Sequence, residues 1–147
     1  MTIAFVTAGA GFLLAVLWFD LMFDVQVRGR GEPTDEALAS IAAYYRRVTL
    51  QARPMNRLVA VMMAVTVTAT AIELADGDVA RWRSIATLVL VVAAAGLALS
   101  HTFANGARLG SGRQPRERQV VLARLMLRDH LFCLAAIAAV LALQLSA

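Results

Sequence analysis

The run Ile3–Phe23, IAFVTAGAGFLLAVLWFDLMF, decides the fold. A helix needs about 20 mostly apolar residues to cross roughly 30 Å of hydrocarbon. This run meets that length with one charge, Asp20, close to its end. Asp24 follows four positions later, so on a helix the two acids share a face. No positive segment precedes the run, and acidic residues rather than a small-residue cleavage site follow it. It therefore reads as a retained span, not a secretory leader.

Working outward, three more stretches are long and apolar enough to cross: Leu58–Leu74, extended through Met55; Ile85–Ala104; and Leu131–Leu145, lengthened by the apolar-rich segment before it. The spans are placed at about residues 3–23, 55–74, 85–104 and 128–145 of one domain covering 1–147. Composition agrees. Of 147 residues 60% are hydrophobic and 16% charged, against about 45–50% and 25% in soluble domains. The mean hydropathy is +0.68. The expected fold is an all-α integral membrane four-helix bundle.

Every basic side chain is arginine, 14 in all, and the net charge is +4. Six of the arginines (28, 30, 46, 47, 53, 57) flank the first loop and six (108, 113, 116, 118, 124, 128) the third. The second loop has only Arg81 and Arg83, beside Glu73, Asp76 and Asp78. The positive-inside rule places loops one and three in the cytoplasm and both termini outside. That distribution explains the positive charge by topology and anionic lipid, and excludes a nucleic-acid partner. Arginine without lysine, with heavy Ala and Val usage, reads as a GC-rich bacterial genome, so the expected location is a bacterial inner membrane. One cysteine, Cys133, excludes an internal disulfide framework.

The first loop carries its own helix. Thr34 suits the N-cap, Asp35 and Glu36 the first turn, and Leu38, Ile41, Tyr45 and Val48 recur at helical spacing opposite Arg46 and Arg47. This amphipathic cytoplasmic helix, between spans one and two, lies on the bilayer or caps the bundle, and Pro54 ends it. In loop three Gly106, Gly110, Ser111 and Gly112 read as a flexible turn, and Pro115 as the first position of a helix running to Leu145.

The strongly polar groups of the spans gather at the cytoplasmic end: Asp20 and Asp24 on span one; Asn56 and Arg57 on span two; His101, Asn105 and Arg108 on span three; Arg124, Arg128, Asp129 and His130 on span four. The outer half reads as almost bare of such groups, apart from Thr66, Thr68 and Thr70. Ionisable groups in spans face the interior, find partners and mark function. Each has a plainer reading: ion pairs for the acids, an interhelical hydrogen bond for His101, a headgroup-level position for His130, apolar filler for Cys133, and interface aromatics for Tyr44 and Tyr45. Two histidines with Asp20 or Asp24 would also suit iron, and a histidine pair would suit haem. No cofactor is the first expectation, iron or haem the alternative. LGSG at 109–112 lacks the lysine and strand of a phosphate loop.

The segments AYYRRV, RPMNRL, FANGARLG and LARLMLRDH, set around four spans, resemble the anthrone-oxygenase-like family of small four-helix membrane proteins. The chain differs from that pattern at Asp129, where the family has asparagine. The resemblance implies oxidation of a lipophilic aromatic by dioxygen, with an apolar slot, a base and oxyanion donors. It implies His130 or His101 as base, Asp20 orienting a histidine, and Asn56 and Asn105 as donors. The candidate catalytic set is thus His130, His101 and Asp20; the candidate substrate-binding set is Asn56, Asn105, Asp24, Tyr45 and Arg128; no residue is assigned to a metal. Three function classes stand side by side. One is an oxidoreductase acting on a lipophilic aromatic or quinone. Another is a non-catalytic membrane subunit or assembly partner in a homo-oligomer or larger complex. The third is an oligomeric transporter or channel. Lipid is the partner common to all three.

Overall fold

The computed structural model describes residues 2–29, 31–51, 53–77 and 79–146, with the backbone alone at 53 and 54. The readings of Arg30, Asp78 and the Arg53 and Pro54 side chains fall outside the described residues. Helix α1 covers Thr2–Asp24 and runs into a 3-10 turn, Val25–Val27. Helix α2 covers Asp35–Tyr45 and continues as a π-helical segment, Arg46–Gln51. Helix α3 is Arg53–Asp76, and α4 is Arg81–Leu97. A second π-helical segment, Ala98–Thr102, joins α4 to α5, Phe103–Gly110, and α6 is Arg116–Leu145. Four helical stretches are long and apolar enough to cross a membrane: Thr2–Val27, Met55–Asp76, Arg81–Gly110 and Arg116–Leu145.

The crossing helices form a ring: α1 packs on α3 and α6, and α4 packs on α3 and α6. Their core is Val6, Ala10, Leu13, Met63, Val91, Ala94, Cys133, Ala136, Ile137 and Val140. Small residues set the spacing. Gly9 of α1 lies so close to α3 that a Cβ there would overlap Thr66 Oγ1. Outward-facing side chains are large and apolar, including Phe5, Trp18, Phe19, Trp82, Val89 and Leu99. In water such a surface would drive association; here it meets lipid. Trp18 and Trp82, 63% and 65% exposed, sit toward opposite ends of the bundle, as aromatic belts do.

At the basic end a second core forms where α2 packs on the ends of the crossing helices, from Val27, Leu38, Ile41, Tyr45, Leu109, Val120, Leu122 and Met126. It settles the alternative left open for α2: the helix caps the bundle. Thr34 takes the N-cap with extended backbone, its Oγ1 accepting from Ala37 N at 3.2 Å. Arg116 fastens the preceding loop, donating to Glu32, Asp35 and the Pro33 carbonyl at 2.7–2.9 Å. These exposed pairs add little stability.

Two local expectations change. Gly106 and Gly110 are helical, not part of a flexible turn; Gly110 lets α5 press onto the backbone of Tyr45 and Arg46, where a Cβ would sit 2.6 Å from Arg46 N. Gly112, with φ +66°, makes the turn itself. Pro115 is the N-cap of α6 and not its first residue, its carbonyl accepting from Arg118 N and Gln119 N at 3.0 Å.

Candidate functional site

Asp20 and Asp24 of α1 are met by side chains from two other helices. Both face inward at the basic end of α1. There α2 folds back to present two consecutive tyrosines, and α6 presents His130. Asp24 is fully buried. Its Oδ1 accepts from the Tyr45 hydroxyl at 2.8 Å, and its Oδ2 from His130 Nδ1–H at 2.6 Å. The Tyr44 hydroxyl donates to Asp20 Oδ1 at 2.6 Å, and Asp20 Oδ2 stands 3.8 Å from His130 Nε2. The two carboxyl groups thus have separate donors, one tyrosine each, with a single imidazole between them. Phe23 stacks on Tyr44, centroids 4.1 Å apart and planes within 10°. Burial raises the pKa of both tyrosines above the ordinary phenol value, and the neighbouring carboxylates push the same way.

A second network holds the other histidine. In the π-helical segment, His101 Nδ1–H donates to Asp129 Oδ2 at 2.5 Å, and Nε2 accepts from Asn105 Nδ2 at 3.1 Å. Arg128 reaches Asp129 Oδ1 at 3.3 Å. The consecutive residues Asp129 and His130 thus serve different partners. Both nitrogens of His101 are engaged in this network, so iron or haem would have to displace Asn105 to reach its Nε2. The two-histidine, one-carboxylate arrangement does not form. Among the described residues, no group of three or more His, Cys, Asp or Glu is placed to hold a metal ion. Asn56 Nδ2 donates to the Thr49 carbonyl at 3.1 Å, capping the first π-helical segment.

Of the predicted site residues, Asp20, Asp24, Tyr45 and His130 come together, with Asn56 beside them. His101, Asn105 and Arg128 gather instead around Asp129. Tyr44, read as an interface aromatic, is a direct partner of Asp20. Its signal was its position beside Tyr45, which lets adjacent hydroxyls reach acids one turn apart.

Two cavities flank Asp20 and His130, of about 70 and 80 Å³. They share Val16, Asp20, Val59, Phe103 and His130 in their walls. The second also touches Tyr44, Tyr45, Thr49 and Asn56. Chemically, a carboxylate on Nδ1 with Nε2 left open is how a general base is oriented. The adjoining space admits a few water-sized groups; sites for ring-sized ligands run to about 300 Å³ and more. Among the described residues, the ring-sized apolar slot that anthrone oxidation requires is not formed beside His130.

The outer half of the bundle is not bare of polar groups. Glu73, read as a loop charge, is a buried residue of α3. Its Oε1 accepts from Ser84 Oγ and Gln144 Nε2, both at 3.2 Å, tying α3 to α4 and α6. Glu73 Oε2, Thr87 Oγ1 and Gln144 Oε1 are buried without a hydrogen-bond partner among the described residues. Sequence alone hides this cluster: Gln144 and Ser84 are uncharged, and Glu73 stands at the edge of an apolar run, where a carboxylate is expected in solvent.

Comparison with known proteins corrects the identity suggested by the short motifs. The SHR3 chaperone family, described as ER membrane protein SH3, matches residues 1–147. The anthrone-oxygenase resemblance is overturned: its motifs were short, and the full-length pattern of this chain is that of another family. The expected bacterial inner membrane, with its periplasmic termini, is overturned with it, since arginine and alanine usage reports on base composition and not on the compartment. No curated protein and no solved structure matches the chain. A match from the first residue to the last, over a ring of apolar helices held by buried polar networks, leads to one conclusion: the chain belongs to the SHR3 chaperone family of ER membrane proteins.

Proposed function

We propose that this protein is a non-catalytic assembly factor of the ER membrane, which binds other membrane proteins while they fold. The observation that carries this reading is the full-length family match. The site chemistry supports it. Residues expected to catalyse or to bind substrate are engaged in contacts between helices: Asp24–His130 joins α1 to α6, Tyr45–Asp24 joins α2 to α1, and His101–Asp129 joins the third span to α6. Buried polar contacts of this kind fix which helix faces meet, whereas the apolar surface alone would accept several arrangements. A rigid frame with an apolar exterior suits binding in the bilayer and needs no turnover.

The test is depletion of the protein in its own cells, followed by quantification of multi-pass membrane proteins by detergent solubility and export from the ER. A subset should become aggregated and retained, and should crosslink to the protein during synthesis. Unchanged solubility and export of the multi-pass proteome, with no crosslinked nascent chains, would overturn the assignment.

A further inference from the structure

The acceptors around the two cavities are not all used. His130 is 5% exposed, its Nδ1–H is committed to Asp24, and its Nε2 has no hydrogen bond among the described residues. Asp20 Oδ2 has none either; its nearest recorded partner is that same Nε2, 3.8 Å away and beyond hydrogen-bond reach. Both residues line both cavities. Asn56 uses its amide nitrogen on Thr49, and its Oδ1, in the wall of the second cavity, has no hydrogen bond among the described residues. The hydroxyls nearby are spent as donors: Tyr44 on Asp20, Tyr45 on Asp24, Thr49 on the Tyr45 carbonyl. What the space lacks is a donor.

The charge points the same way. Two carboxylates face one imidazole, and no arginine among the described residues pairs with Asp20 or Asp24. With His130 neutral, as an accepting Nε2 requires, two ionised carboxylates would leave the cluster negative within a span, where an uncompensated charge is costly. A ligand that suits the site is small, cationic and rich in N–H donors. A nitrogen can stand about 2.8 Å from both acceptors at once. Sodium prefers an all-oxygen shell, and a transition metal would want more than two ligands.

We propose that the junction of the two cavities binds a primary ammonium group, held by Asp20 Oδ2 and His130 Nε2. This goes beyond the assembly role and is tested without it. The source is either a free small amine or a lysine side chain of a bound membrane protein; the chemistry is shared.

The experiment is thermal unfolding of the purified protein in detergent at matched ionic strength, with methylammonium, n-butylammonium, tetramethylammonium or sodium chloride. Methylammonium should raise Tm saturably, by about 3–6 °C at a tenfold excess over Kd. Tetramethylammonium, which has no N–H, and sodium should not. Asp20→Asn should abolish the rise. Should that variant fail to fold, the imidazole ¹⁵N signals of the wild type provide the check: methylammonium should move the His130 Nε2 signal and leave the His101 signals in place. A rise with methylammonium that n-butylammonium does not share points to a small free amine; a rise with both, at least as large with n-butylammonium, the analogue of a lysine side chain, points to a partner's lysine. The same Tm in all four salts, or stabilisation by zinc chloride and not by the amines, would overturn the proposal.

Discussion

His130 and Asp24 stand 106 positions apart in the chain and meet at 2.6 Å, inside the bundle, where the first crossing helix touches the last. The contact closes the ring of helices, and Tyr45 ties the capping helix to the same carboxylate. Removing the acid leaves a buried imidazole and a buried phenol without their acceptor. Asp24→Ala should destabilise the fold by about 3–5 kcal/mol. Asp24→Asn, which keeps an acceptor for Tyr45, should cost less. Unfolding in mixed micelles measures both, and equal stability of all three proteins would show that the contact does not hold the helices.

The chain has two tyrosines, and both lie in this network, so their ionisation can be read directly. Burial, reinforced by Asp20 and Asp24, raises both pKa values above that of an unfolded tyrosine, about 10. A neutral acid whose pKa is raised on folding contributes stability below its unfolded value and loses it as pH climbs toward the folded one. Phenolate absorbance near 295 nm should therefore be almost absent from the folded protein at pH 10–11, and appear on unfolding. Half-ionisation near pH 10 in the folded state would contradict the buried placement.

The approach of α1 to α3 depends on Gly9. A methyl group there overlaps Thr66 Oγ1, so Gly9→Ala should cost about 1–3 kcal/mol. Pairing it with Thr66→Ala should recover most of the loss, because the clashing atom is removed. A double variant no better than the single one would place the clash elsewhere.

Glu73 makes the corresponding tie in the outer half of the bundle. Glu73→Ala strands the donors of Ser84 and Gln144 and should cost about 1–3 kcal/mol. Glu73→Gln keeps an acceptor oxygen and should stay close to wild type. Hydrogen exchange should report the loss first in α4 and the end of α6.

Much of this site could be read from spacing. Asp20 and Asp24 sharing a face, His101 and Asn105 sharing another, and the Thr34 cap all follow from helical geometry and appear in the structure. The pairing did not follow. Asp129 and His130 are neighbours in the chain, yet α6 turns one toward His101 and the other toward Asp24. Linear sequence gives no rotation of one helix about its axis relative to the next. Glu73 was hidden for a related reason: a carboxylate near the end of a span looks solvated until Ser84 and Gln144 are seen to cover it.

The sequence by itself determined that the chain crosses the bilayer four times, because hydrophobic length and backbone satisfaction leave a helix of this composition few other stable states. It also determined which end is basic. Only the tertiary structure decided which acid meets which base, that α2 caps the bundle, and that the spaces beside His130 are too small for a ring. Those outcomes depend on how helices rotate and approach one another, which is set by packing of small residues and satisfaction of buried polar groups across the whole bundle.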